Sequence, residues 1–327
     1  MHTIIPVAGF GTRLRPHTYT IPKVLLSVAG KPILAHILDD LLASGMTSAT
    51  IVVGYLGDAV QEFMRGRYPD LPVHFIEQKE PQGLGHAIWI AREDIPANGD
   101  PFLIALGDTI FEADLKAMLQ GKTSAIGVYT VEDPRRFGVV EAENGFATKL
   151  VEKPEQPKSN LMISGPYFFR NPRLLRECLD ELVANDKRTK NEYQLTDALQ
   201  MMIERGEKFA VFPLKGWYDC GKPETLLSTN RVLLDRGSHS RPRTRTVIHE
   251  PVFIDDTADI EDAIVGPYAA IGAESIVRNA IVRDSIVGNQ VRVESVLLDG
   301  SILGDNASVI GQFRHINAGD SSEIDLR

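Results

Sequence analysis

Gly9-Phe10-Gly11-Thr12-Arg13-Leu14-Arg15-Pro16-His17-Thr18-Tyr19-Thr20-Ile21-Pro22-Lys23 decides how the rest of this chain is read. The stretch follows a short apolar run, Ile4–Val7, and leads to a helical pattern starting near Lys31-Pro32. Two glycines let a backbone close on a bulky anion, and Arg13 and Lys23 add two positive charges. That combination suits a nucleoside triphosphate. Other phosphate-binding readings fit less well. A dinucleotide fingerprint needs a third glycine where Leu14 stands, and no acidic residue follows at the distance that holds a ribose. A later near-match to a P-loop, Gly216-Trp217-Tyr218-Asp219-Cys220-Gly221-Lys222, continues into Pro223 instead of the Ser or Thr that binds magnesium.

Outward from this loop, apolar runs of strand length alternate with helical patterns as far as residue 236. Strands are expected at Ile4–Val7, Thr50–Val53, Val73–Glu77, Phe102–Leu106, Ala125–Thr130, Gly138–Glu141, Tyr167–Phe169 and Phe209–Phe212. Ile33, Leu34, Ile37, Leu38, Leu41 and Leu42 recur at helical spacing, and Gly45 supplies a stop. Further helices are expected over Gly57–Arg67 and Leu84–Arg92, and from Asn171-Pro172, as N-cap and first-turn proline, through Leu182. Such alternation predicts an α/β domain with a Rossmann-like mixed, mostly parallel sheet covered on both faces. Ligands bind such sheets at the carboxyl ends of the strands, which is where the Gly9–Lys23 loop leaves the first one.

Residues 237–247 break this pattern. They are polar and basic without periodicity and read as a solvated linker, with Arg241, Arg243 and Arg245 as the alternative anion site. Beyond them, Ile271, Ile276, Ile281, Ile286, Val291 and Val296 fall every five residues, followed by Ile302 and Val309, with small or polar residues between. Neither a helix nor a flat strand has that period. It predicts a β-solenoid over 248–327 with these apolar residues pointing inward; a pentapeptide-repeat helix, whose A-D/N-L/F motif is absent, and an antiparallel sandwich are the alternatives.

The 327 residues suffice for two domains, and 43% hydrophobic and 24% charged residues are ordinary for a soluble globular protein. A net charge of −9 argues against nucleic acid as a partner. No apolar run reaches membrane-spanning length, and no signal peptide is evident, so no membrane partner and a cytoplasmic location are expected. Cys178 and Cys220 form no metal pattern and read as buried thiols.

The loop resembles the signature of the sugar-1-phosphate nucleotidylyltransferases, G-x-G-T-R-L-x-P-x-T, then P-K, then G-K-P. Gly9, Gly11, Thr12, Arg13, Leu14, Pro16, Thr18, Pro22, Lys23, Gly30, Lys31 and Pro32 all match. Four more stretches resemble the family's motifs in order. These are Gln78-Lys79-Glu80-Pro81-Gln82-Gly83; Leu106-Gly107-Asp108; Phe137-Gly138 with Glu152-Lys153-Pro154; and Trp217-Tyr218-Asp219-Cys220-Gly221. The whole looks most like the long form of the glucose-1-phosphate thymidylyltransferases, which ends in a short left-handed β-helix of hexapeptide type. Phe10, where small or polar residues are commoner, and the Asn191–Asp197 stretch, similar to uridylyl-transferring relatives, leave the base and the sugar open.

The resemblance implies roles. Arg13, Lys23 and Lys153 would neutralise phosphate charge during catalysis. Gly9, Gly11, Thr12, Gln78 and Gly83 would bind the nucleotide: a glutamine amide offers a donor and an acceptor to a thymine or uracil edge, and Gly83 lets backbone approach the base. Phe137, Gly138, Glu152, Lys153, Gly165, Tyr167 and Glu192 would line the sugar-phosphate side. Asp108 and Asp219 would hold one Mg²⁺. Taken singly, these residues also read as turns, a surface Glu-Lys pair, a core tyrosine and a helix-start glutamate. His86 reads as a first-turn residue and not a metal ligand.

The implied reaction joins a nucleoside triphosphate, dTTP or UTP, to a sugar 1-phosphate, glucose 1-phosphate foremost, giving NDP-sugar and diphosphate. Two rivals stand beside it: a non-catalytic sugar-nucleotide sensor or assembly subunit, and an acyltransferase in the solenoid using His249 or His315. A scaffold or homo-oligomerisation role suits so short a solenoid better.

Overall fold

The structure, a computed structural model, describes residues 1–312 and 322. The chain forms two compact units. One comprises Met1–Leu26 and Lys31–Leu226; the other takes Ser27–Gly30 and the chain from Leu227 onward. The division falls inside a helix, ahead of the expected linker.

The strands up to that point are β1 (His2–Pro6), β2 (Ser27–Val28), β3 (Lys31–Pro32), β4 (Ser48–Val53), β5 (Val73–Glu77), β6 (Phe102–Ile104), β7 (Thr109–Glu112), β8 (Ser124–Thr130), β9 (Gly138–Glu143), β10 (Phe146–Glu152), β11 (Leu161–Phe169), β12 (Phe209–Pro213) and β13 (Gly216–Asp219). The helices are α1 (Ile33–Ala43), α2 (Gly57–Arg67), α3 (Leu84–Ile90), α4 (Leu115–Gln120), α5 (Pro172–Ala184), α6 (Leu195–Glu204) and α7 (Pro223–Arg236).

The first unit is built on a nine-stranded sheet in the order β5-β4-β1-β6-β11-β8-β12-β10-β9. It is parallel from β5 to β6 and turns mixed at β11, which runs antiparallel to β6, β8 and β9. The central strands are apolar on both faces, as in Ile4-Ile5 and Ile51-Val52, because helices cover both sides. α1 buries Ile33, Leu34, Ile37, Leu38 and Leu41 and stops at Ser44-Gly45, where Gly45 takes φ +102°. The Asn171 side chain caps α5 by accepting from the Leu174 amide at 3.4 Å, with Pro172 in the first turn.

Two features depart from expectation. β11 begins six residues before Tyr167, with its register broken between Ile163 and Tyr167, where Ser164, Gly165 and Pro166 mask the strand pattern. β10 and the two-stranded β7–β13 sheet are also unanticipated; in β10 the adjacent Thr148 and Lys149, at a shift in register, break the apolar alternation.

In the second unit the chain visits three parallel four-stranded sheets in turn. They are β14 (Thr246–Ile248), β17 (Ala263–Val265), β20 (Ile281–Arg283) and β23 (Leu297–Asp299); β15 (Phe253–Ile254), β18 (Ala270–Ile271), β21 (Ile286–Val287) and β24 (Ile302–Leu303); and β16 (Asp259–Glu261), β19 (Ile276–Arg278), β22 (Arg292–Glu294) and β25 (Ser308–Ile310). The parallel pairing excludes the antiparallel sandwich.

The inward positions follow the five-residue series in part: Ile271, Ile286 and Val291 are buried, but the series does not hold throughout. Ile271, Val277, Val282, Val287 and Val293 form the core, in steps of six, five, five and six residues, while Ile276 and Ile281 are only partly buried. The reason lies in the repeated Ile-Val dipeptides. Both members are β-branched and suit a strand, so sequence alone does not say which one turns inward.

The linker reading also needs correction. Residues 237–247 are tied down along the coil and β14 starts within them. Arg241 pairs with Asp256, and Arg245 with Glu261 and Asp262. Arg243 donates to the Asp255 carbonyl at 2.9 Å. Each arginine reaches acceptors of the coil, while Arg241 and Arg245 stay more than half exposed, so the segment lies along the coil with its cations partnered and not as a vacant anion site.

Among the described residues no helix is long and apolar enough to cross a membrane. Both cysteines are buried thiols. Burial pushes the Cys178 thiol up to about 11, which makes it a poor nucleophile.

Candidate active site

The phosphate loop leaves β1 as three short 3-10 turns, Thr12–Leu14, His17–Tyr19 and Lys23–Leu25, instead of running directly into a helix. Gly11 opens the first turn at φ +62°, a conformation that favours glycine. Its carbonyl accepts from the Thr18 hydroxyl at 2.8 Å and from the Leu14 amide at 2.9 Å. Leu14, fully buried, pins the loop to the core, while Thr12 and Arg13 stay exposed. Around Gly9 the space for a side chain is open, and Gly9 lines a cavity of about 360 Å³ with Lys23, Gln78, Gly83, Asp108 and Glu192.

Lys23, only 8% exposed, turns its Nζ onto Asp108 Oδ2 at 2.7 Å. Desolvation raises the Asp108 carboxyl, but the Lys23 charge and hydrogen bond, with a further bond from the Thr109 hydroxyl, outweigh it and hold the group below its ordinary range. Asp108 stands at the turn between β6 and β7. β13 runs antiparallel to β7 and sets Asp219 opposite Thr109, next to Asp108. The Gly221 amide donates to Asp219 Oδ1 at 2.9 Å. A side chain on Gly221 would meet that oxygen at 2.7 Å and Arg13 Nη2 at 2.8 Å, so guanidinium and carboxylate flank the same glycine. Arg13, Lys23, Asp108 and Asp219 therefore converge, although they lie on three distant segments.

Gln78 and Gly83 come from the turn between β5 and α3. A side chain on Gly83 would run into the Tyr193 carbonyl at 2.6 Å. The glycine is thus demanded by the Glu192-Tyr193 backbone, which bonds this turn through Tyr193 N to Gln82 O at 2.8 Å and Gly85 N to Tyr193 O at 2.7 Å. That clasp carries Glu192 to the cavity, where Gln194 Nε2 donates to its carboxylate at 2.9 Å.

A second cluster forms where β9 meets β10. Gly138 lies opposite Glu152, and the Lys153 amide donates to the Phe137 carbonyl at 3.0 Å. The Glu152 carboxylate accepts from the Thr196 hydroxyl at 2.7 Å and lies 3.4 Å from Lys153 Nζ. A side chain on Gly138 would strike both Glu152 Oε2 and Thr196 Oγ1 at 3.0 Å. Phe137 packs edge-on against Trp217, which joins this cluster to the strand carrying Asp219. Gly165, at φ +59°, sits against Leu106.

Tyr167 belongs to the hydrophobic core, and burial raises its phenol first, Glu152 second. Tyr55 lies outside the motifs read from the sequence, and the partners of Thr196 and His86 are not legible there. His86 sits in the first turn of α3, as expected. Tyr55 Oη donates to the Tyr19 carbonyl in the phosphate loop at 3.0 Å, beside the Phe10 ring at 5.8 Å. No spacing rule ties any of the three to its partner. His249 donates its amide to the Val265 carbonyl in the coil, and His315 lies outside the described residues.

Residues 2–236 match the family model described as Nucleotidyl transferase. The chain belongs to that family. A glucose-1-phosphate thymidylyltransferase of Streptomyces antibioticus is 29% identical across 100% of both chains. The UTP–glucose-1-phosphate uridylyltransferase AglF of Haloferax volcanii is 34% identical over 68% of this chain and 93% of its own. A UDP-glucose pyrophosphorylase crystallised with UDP-glucose superimposes with a TM-score of 0.62 at 26% identity, over 72% of this chain and 98% of that one. As a member of the family the protein is an enzyme, a nucleotidyltransferase.

Proposed function

We propose that the protein transfers a nucleotidyl group from a nucleoside triphosphate, dTTP or UTP, to a sugar 1-phosphate, with glucose 1-phosphate foremost. The observation that carries this reading is the convergence of Arg13, Lys23, Asp108 and Asp219 at the strand ends, beside a cavity bounded by Gln78 and Glu192. Cations at that point suit a polyphosphate, and the Glu152–Thr196–Lys153 cluster suits a hydroxylated, phosphorylated partner. A non-catalytic sensor would not need all four charged groups.

The donor set fits a magnesium ion. Two carboxylates on neighbouring strands are hard oxygen ligands, and Mg²⁺ commonly takes one or two such groups with substrate phosphates and water completing the shell. Asp108 and Asp219 would hold it; when bound, it supplies positive charge against that developing at phosphorus. The chain's own residues do the rest. Arg13 grips the triphosphate. Lys23, oriented by Asp108, neutralises phosphate oxygens. Lys153 holds the sugar phosphate while Glu152 accepts from a sugar hydroxyl. A sugar-phosphate oxygen attacks the α-phosphorus in line, the bond to the bridging oxygen breaks, and diphosphate departs. No general base is required, because a phosphate monoester has a second pKa of about 6.

We read the parallel coil of the second unit as a left-handed β-helix of hexapeptide type that serves assembly. Val247, Ile264, Ile281 and Leu297 stand in register across one sheet, and three of them are strongly exposed, Leu297 by 57%. Such an apolar ladder favours contact with another copy. Release of diphosphate from a panel of dTTP, UTP, ATP, CTP and GTP with several sugar 1-phosphates tests the activity; no turnover with any pair overturns it.

A further inference from the structure

Gln78 is almost fully buried, and its amide is oriented by two acceptors. Nε2 donates to the Gly83 carbonyl at 3.3 Å and meets His86 Nδ1 at 2.9 Å. A carbonyl oxygen can only accept, so the atom facing Gly83 must be the NH₂ group. The imidazole nitrogen it also meets must then be the unprotonated one, with the ring proton on Nε2. Both amide hydrogens of Gln78 are thereby spent. Oε1 has no partner among the described residues, and Gln78 lines the cavity beside Gly9 and Pro81.

His86 is itself locked. It stacks on Tyr193 at 6.2 Å and lies 5.7 Å from the Trp89 ring. Burial first, and the Arg188 charge second, lower its pKa against the opposing pull of Glu80, which keeps the ring neutral and Nδ1 free to accept.

We infer that His86 is a positioning residue that fixes the Gln78 amide so that it offers only an acceptor to the nucleotide base. A base presenting an imino N–H there, such as uracil or thymine, gains a hydrogen bond. Cytosine, whose N3 is an acceptor, meets oxygen with a lone pair and is rejected. Without His86 the amide keeps only the longer bond to the Gly83 carbonyl, so turning over to offer its NH₂ group costs less. This inference rests on the nucleotidyl-transfer reading above.

The test compares wild type, His86→Leu and His86→Asn in steady-state kinetics with UTP, dTTP and CTP, and in calorimetric binding of UTP and CTP. Leucine removes the acceptor and keeps bulk; asparagine can restore an oxygen near the Nδ1 position. In His86→Leu the KM for the preferred triphosphate should rise about tenfold, with kcat within about twofold, and preference over CTP should fall by a similar factor. His86→Asn should recover most of both. A His86→Leu protein with unchanged KM and unchanged preference overturns the inference. So does a His86→Asn protein as impaired as His86→Leu, which would assign the effect to the ring's shape. Wild type that binds UTP over CTP yet turns over no sugar phosphate overturns the functional reading and leaves the binding comparison to judge His86. Wild type that binds neither nucleotide overturns both.

Discussion

In the coil each strand finds its partner one turn along the chain: Ile264 lies beside Ile281, and Ile281 beside Leu297. In the first unit the decisive partners are far apart in sequence. Asp219 is set beside Asp108 only because β13 pairs with β7, and Glu152 receives its hydrogen bond from Thr196 on α6. A local repeat produces a rod with an evenly distributed core, in which no single contact brings distant chemistry together. Long-range pairing costs more chain entropy, and it gathers charges that no neighbouring sequence could place at one point.

The comparison breaks first if the gathered charges are dispensable. Arg13→Ala, Lys23→Ala and Asp219→Asn should each lower turnover by about a hundredfold or more, since one preorganised charge contact in such a site is worth roughly 3 kcal/mol. Asp108→Asn should do the same and also strand the Lys23 ammonium. Near wild-type rates of diphosphate release across this set would show that the convergence is structural only.

A smaller effect sharpens the account of the coil. Val277→Ala should lower stability by about 2 kcal/mol, while Ile276→Ala, one residue away and facing outward, should cost under about 1 kcal/mol. Denaturant unfolding followed on the transition of the coil reads both. Equal costs would mean that the inward register is not the one described.

The exposed ladder offers a third measure. If the ladder mates two copies as proposed, Leu297→Glu should lower the mass seen in light scattering while leaving turnover within about twofold, because a surface substitution away from packing changes stability little. An unchanged mass would remove this face from any assembly.

The smallest effect concerns the sugar side. Thr196→Val should raise the KM for the sugar phosphate about tenfold with kcat nearly constant, since one hydrogen bond to a carboxylate is worth about 1.5–3 kcal/mol and Lys153 still faces Glu152. A change in kcat alone would move Thr196 from orienting Glu152 to the chemistry itself.

Acid offers a check on the Lys23–Asp108 pair. The Asp108 carboxyl lies below its ordinary value in the folded protein, so its contribution to stability is complete above the unfolded pKa of about 4 and is lost as pH falls through the lowered value. Asp108→Asn should flatten that part of the stability curve.

Much of this molecule is legible in its sequence. The 33–43 and 57–67 helices, the parallel strands and the solenoid follow from periodicity, because burying one face imposes the same spacing wherever it occurs. The charged residues of the loop stand in one contiguous stretch, whose spacing carries the expectation of a phosphate site. What stays hidden needs contact to define it. An Ile-Val pair does not announce which side chain turns inward, and the arginines of 237–247 look unpaired until Asp256 and Asp262 are placed beside them. Gly83 reads as room for a ligand, and only the fold shows that the Tyr193 carbonyl also demands a glycine there. The order of residues thus specifies which chemical groups this protein owns and the local geometry of the segments bearing them. Which groups face each other is decided by packing in three dimensions, because a hydrogen bond or ion pair depends on a few ångströms of separation that distant parts of a chain acquire only when they fold together.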